Sequence, residues 1–165
     1  MKKISWIIAA LMLCAFFVFA MGSGEKDTVD QGEGQADKSA AESGELGDYS
    51  VTIDSCRLAK DYSGKDVVIV KYTFTNVGND DATSFTFAFN DQAFQGGVGL
   101  NNAYVFDESV NYSSDNQMKE IKKGASIEVE VAYELNDTTT DVEIEVEELI
   151  SLNDKVVKKT FKIAE

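Results

Sequence analysis

The chain has no histidine. A Ser-His-Asp triad and any imidazole-ligated metal are thereby excluded. Cysteine is nearly as scarce. Of the two present, Cys14 lies in an N-terminal apolar run and Cys56 alone belongs to the body of the chain. The body therefore has no internal disulfide and no thiolate zinc site, and Cys56, next in phase to Leu58, is expected in the core as a small hydrophobe. The single tryptophan, Trp6, also falls in the N-terminal run. Cationic residues are outnumbered: 15 basic against 29 acidic side chains give a net charge of −14. Nucleic acid and anionic lipid are held by Lys/Arg patches, and no such patch occurs, so neither is expected as a partner.

What is present divides into three. Met1-Lys2-Lys3 is a short basic start, followed by the apolar run "ISWIIAALMLCAFFVFA". That is the pattern of an export signal over 1–20, with cleavage after Ala20 preferred and an uncleaved anchor as the alternative. Membrane contact is expected only through this segment, where it stays uncleaved. Leu13 before Cys14 does not suit a lipidation site; "VFAMGSG" is close to the end of a lipoprotein signal, with Met21 standing where the cysteine would be. Residues 21–47 come next. The stretch 22–47 holds 7 acidic and 2 basic residues and lacks aromatics. It has too little apolar surface to offset its ordering entropy and is assigned to a flexible acidic linker.

Residues 48–165 carry period-two alternation and no helical period. Val68, Val70, Tyr72 and Phe74 share one face of a strand, and Phe85, Phe87 and Phe89 share one face of another. Ile127, Val129, Val131, Tyr133 and Leu135 alternate with glutamates, as do Val142, Ile144 and Val146. Val157, Phe161 and Ile163 close the chain. Turns are expected at 61–66, 76–81, 136–141 and 152–155. The expectation is all-β: an antiparallel immunoglobulin-like β-sandwich of seven or eight strands.

Charge selects the topology. Pairing 126–135 directly with 141–149 would set Glu134 against Glu143 and Glu130 against Glu147, and opposed like charges destabilise. The last two strands pair favourably instead. A turn centred on Asn153-Asp154 sets Val146 against Phe161, Ile144 against Ile163 and Glu145 against Lys162. The 136–141 connection then crosses between sheets, and Glu130 is expected on the outer surface, contributing only diffuse negative charge.

The stretches "LAKDYSGKDVVIVKYTFTN", "AFQGGVGL" and "IKKGASIEVEVAYEL" resemble the bacterial DUF5067 domain, related to other immunoglobulin-like exported domains such as DUF4352. The chain departs from the pattern at Gly96, Gly99 and Lys123, where Asn, a polar residue and Pro are usual. The resemblance implies export and a sandwich, and brings no catalytic residues.

The acidic turns "NDDATS" and "DYSGKD" lack calcium-loop spacing and are expected to be turn chemistry. No metal or cofactor is expected. Asn111 and Asn136 head glycosylation-type triplets and are expected bare in a bacterial protein. The expected function is that of an exported, envelope-associated or secreted non-catalytic binding module, facing an envelope protein or glycan on the cell surface or outside the cell. The candidate surface is Phe94, Gln95 and Gly97 in "FQGGVGL", where glycines permit close approach. The alternative is a secreted hydrolase or inhibitor with a carboxylate site. Two acids converging in a deep cleft would favour it; an exposed aromatic patch would favour binding.

Overall fold

The computed structural model describes residues 42–106, 110–151 and 154–164. The export signal and the first part of the linker, through residue 41, lie outside the described residues.

Eight strands form two four-stranded antiparallel sheets. They are β1 (Glu42–Leu46), β2 (Tyr49–Lys60), β3 (Asp66–Asn76), β4 (Phe89–Gln95), β5 (Val98–Gly99), β6 (Ser126–Glu134), β7 (Val142–Glu148) and β8 (Val156–Phe161). One sheet runs β1-β2-β3-β6 and the other β5-β4-β7-β8. The two glutamate-rich strands β6 and β7 lie in different sheets, as the charge argument requires, and β7 pairs with β8. This is the order of an immunoglobulin-like sandwich.

Three expectations need correction. Strand β1 at Glu42–Leu46 falls inside the segment assigned to the linker, where it pairs with β2 and buries Leu46. The register of the last hairpin is displaced: Phe161 faces Val142, and Glu145 faces Lys158 rather than Lys162. Lys158 forms the ion pair with Glu145, and Lys162 pairs with Asp141. Phe85–Ala88 is one helical turn, so Phe85 and Phe89 turn inward while Phe87 is exposed. In helical geometry, positions three or four apart share a face and a position two away does not.

The main core lies between the sheets. Val68, Val70, Tyr72 and Phe74 of β3 meet Phe85, Phe89, Ile144, Val146 and Phe161 there. Rings of Phe74, Phe85 and Phe89 pack edge to face at 5.5–6.1 Å. A smaller core covers the other face of β3. There Val67, Ile69 and Ala132 are buried by Ala103 and Val105 from the segment that follows β5. Strand β3 is thus apolar on both faces, which is why it reads as the unbroken run "VVIV". In β2 the register shifts between Ile53 and Ser55. That bulge changes the inward phase from Ile53 to Cys56, and both are buried, while Leu58 is exposed.

Lys159 is an unusual inward residue. Period two places it between Val157 and Phe161, and it is 4 % exposed. Its Nζ donates to the carbonyls of Ile53 and Asp54 at 3.1 and 2.7 Å and lies 4.8 Å from the centre of the Phe161 ring. The lysine of β8 thereby satisfies carbonyls that the bulge in β2 turns away from its neighbours.

Candidate functional site

The segment "FQGGVGL" is the β4–β5 hairpin. Gly96 and Gly97 take φ of 57° and 79°, left-handed values that a two-residue hairpin requires and that glycine adopts without strain. Of the expected surface residues, Phe94 is half-buried and lies over Gly99, and Gly97 is exposed. Gln95 is 4 % exposed. Its Nε2 donates to the carbonyls of Asp137 and Thr140 at 3.1 and 2.8 Å, and its Oε1 accepts from the Asn136 amide at 2.8 Å. The Gln95 side chain therefore ties the hairpin to the β6–β7 crossing. That crossing is itself held by Asp137, whose carboxylate accepts from the amides and hydroxyls of Thr139 and Thr140 at 2.7–2.9 Å. These bonds lower its pKa to about 2.

Beyond the hairpin the chain changes sheets. The Leu100 amide bonds to Ala93 in β4 at 2.8 Å. Next, Ala103 donates to Ala132 and Glu134 donates to Asn101, both at 2.8 Å, so 101–103 adds to the free edge of β6. Two clefts flank this crossing segment.

The first cleft, about 280 Å³, opens between the β4–β5 hairpin and Asn102. Asp91 and Tyr133 line it together with Phe94 and Leu100. Tyr133 donates its hydroxyl hydrogen to Asp91 Oδ2. A tyrosine has one such hydrogen, so at the 2.9 Å contact between the two phenols Tyr72 is the donor. The relay joins β3, β6 and β4 across the sandwich. Burial raises the pKa of Asp91 despite the Tyr133 bond. Burial also pushes both tyrosines well above 10, with the Asp91 charge adding to it. The relay is a polar staple between the sheets, and periodicity could place Tyr133 inward without identifying its partner.

The second cleft, about 240 Å³, lies on the other side of the segment, over the smaller core. Asn102, Tyr104, Phe106, Tyr112, Ser114 and Gln117 line its mouth and walls. Three exposed rings adjoin it: Tyr104 and Phe106 of its lining, and Tyr62 against Phe106, at 72, 74 and 72 % exposure. Phe106 is 6.1 Å from Tyr62 and 6.4 Å from Tyr104, and the planes of Tyr104 and Phe106 are 6° apart. The alternation in "NAYVF" explains the arrangement. Ala103 and Val105 face β3, so Tyr104 and Phe106 must face solvent. Tyr62 comes from the β2–β3 turn, which Asp61 fastens by accepting from the Ser63 amide, the Ser63 hydroxyl and the Lys65 amide at 2.8–2.9 Å. Sequence reasoning passed over this shelf, although the alternation in "NAYVF" was its visible signal.

Among the described residues no three acidic or thiol side chains converge as a metal site.

The profile of the domain of unknown function DUF5067 matches residues 25–148. No curated protein matches the sequence. Two solved structures, each described as a "putative lipoprotein", are similar to the chain at low identity. One, ycdA from Bacillus subtilis subsp. subtilis str. 168, is 16 % identical with a TM-score of 0.58, over 76 % of this chain and 39 % of its own. The other, from Staphylococcus aureus subsp. aureus NCTC 8325, is 18 % identical with a TM-score of 0.47, over 75 % of this chain and 94 % of its own. The present chain thus spans about two fifths of the Bacillus protein (39 %).

Proposed function

The chain belongs to the DUF5067 family of domains of unknown function, and we propose that it is an exported, non-catalytic binding module of the cell envelope that meets its partner on the Tyr62–Phe106–Tyr104 shelf. The shelf itself carries this reading. Phe106 lies within contact distance of both Tyr62 and Tyr104, and the three rings are at 72–74 % exposure. Held in water, they add little to the fold. Buried against a partner, such rings dominate contact energy. They sit on connecting segments above a rigid sandwich, the usual location of binding groups. The basic-then-apolar N-terminus supports export, and the description of the Bacillus neighbour as a lipoprotein is in keeping with an envelope location.

A hydrolase working through carboxylates would use two acids flanking its substrate. Asp91 is the one acid among the described residues that line its cleft, and its hydroxyl partner already occupies Oδ2. Binding is therefore favoured over catalysis.

The test is adsorption to envelope material. Protein with Tyr62→Ala, Tyr104→Ala and Phe106→Ala should keep its urea midpoint, because these rings are exposed, and lose retention on cell-envelope fractions. Equal retention of the triple variant and the parent would overturn the proposal.

A further inference from the structure

We infer that the shelf and the cleft beneath it form a site for an uncharged oligosaccharide. The inference rests on the binding reading above and gives it a ligand class. The lining is what distinguishes the site. The chain is 27 % charged, yet none of the described residues lining this cleft carries a charge. Its polar groups are neutral: the amide of Asn102, the hydroxyls of Tyr112 and Ser114, and Gln117, whose Nε2 already donates to the Glu130 carbonyl at 2.6 Å and the Tyr112 hydroxyl at 3.4 Å and whose Oε1 is left to accept. Among the described residues, the charges that act on Tyr112 are engaged with each other, since Glu130 receives the Arg57 guanidinium, whose Nη2 also donates to the Asn111 carbonyl at 3.2 Å.

Each part of the site matches one part of a sugar ring. The flat C–H face of a pyranose is apolar and packs on an aromatic ring, whereas its equatorial hydroxyls project sideways and need neutral donors and acceptors. The near-parallel rings of Tyr104 and Phe106, 6.4 Å apart, offer such a face, and the amides and hydroxyls of the cleft lie beside it. A polyanion is disfavoured by the net charge of −14. A cationic ligand would gain from a carboxylate in the lining, and the described lining has none. The cleft volume of about 240 Å³ suits one end of a chain, with the exposed rings carrying the following units.

The experiment is calorimetric titration of the described domain with four probes: N,N′,N″,N‴-tetraacetylchitotetraose, cellotetraose, the deacetylated cationic chitosan tetramer and a proline-rich decapeptide. At least one neutral tetrasaccharide should bind, with affinity insensitive to salt. Tyr104→Ala and Phe106→Ala should each weaken it roughly tenfold or more, the loss typical of a central aromatic contact. Asn102→Ala should weaken it without altering the urea midpoint. Binding of the chitosan tetramer or the peptide alone would overturn the inference, as would no binding by any probe.

A parallel measurement separates this inference from the proposal beneath it. Envelope fractions are treated with glycoside hydrolases or with protease. Capture that needs the three rings, and is abolished by glycoside hydrolases but survives protease, supports both. Capture that needs the rings, resists glycoside hydrolases and is abolished by protease leaves the binding function standing and removes the saccharide. Capture indifferent to the rings removes both.

Discussion

Asp137 and Asp91 are placed in opposite environments and should pull stability in opposite directions with pH. Four hydrogen bonds to Asp137 favour its charged form and hold its pKa at about 2, against 3.8 in the unfolded chain. Its contribution is fully present above 3.8 and is lost as the pH falls through about 2. Burial instead raises Asp91 above 3.8. Its contribution is complete below 3.8 and declines as the pH rises through the folded value. Urea midpoints across the acid range should show both effects. Asp137→Asn should flatten the steepest part of the acid limb. Asp91→Asn keeps an acceptor for Tyr133, so it should fare better against the parent at neutral pH than in acid. Glu130 makes a third prediction: it faces outward between the inward Val129 and Val131, as expected, but its charge is not diffuse. Its carboxylate receives both Nη atoms of Arg57, with the two side chains 21 % and 29 % exposed. Its cross-strand neighbour is Lys71. Glu130→Lys would therefore set three cations together, at a cost of about 1–3 kcal/mol. A urea melt checks the size, and Arg57→Glu in the same chain should restore part of it.

At the scale of elements, β1 explains both a packing requirement and a failure of sequence reasoning. Gly44 faces β8 so closely that a β-carbon there would stand 2.7 Å from Val157 Cγ2. Gly44→Ala should cost about 1–3 kcal/mol by overpacking, and adding Val157→Ala should recover much of it; thermal melts of the single and double variants decide. The strand was missed because "ESGEL" has one apolar residue, and its stability comes from the β2 edge and the Leu46 pocket rather than from its own composition. Strands β6 and β7 were legible because their faces differ at every second residue, and β3 because its apolar run passes into the alternation of Val70, Tyr72 and Phe74. "FTFAF" imitates that period, but a single turn of helix at Phe85–Ala88 breaks it. The last hairpin was assigned the right partners and the wrong register, because Lys158 and Lys162 both offer an ammonium to carboxylates in or just before β7 and charge alone does not choose between them. Of the site, Gln95 and Asp91 were not legible. Each is polar at an inward position, and its reason lies across the fold in a loop or another sheet.

For the molecule as a whole, the described residues should fold by themselves. A fragment starting at Glu42 should give a β-type circular dichroism spectrum and one urea transition that reducing agent leaves unmoved, since Cys56 has no second cysteine within the fragment. Starting at Asp48 instead removes β1 and the buried Leu46, and the midpoint should fall. The segment 101–106 gives the molecule one further property. Its odd-numbered residues Ala103 and Val105 seal β3, while Tyr104 and Phe106 point away on the same few bonds of backbone. Any opening of this segment breaks the hydrogen bonds of the Ala103 and Glu134 amides and wets Val67 and Ile69 in a single event. Those two amides should therefore exchange with deuterated solvent together, at a common rate set by that opening. A molecule bound to the two outward rings must slow both by the same factor. The inner seal of the sandwich would then report, proton by proton, on the occupancy of its outer surface.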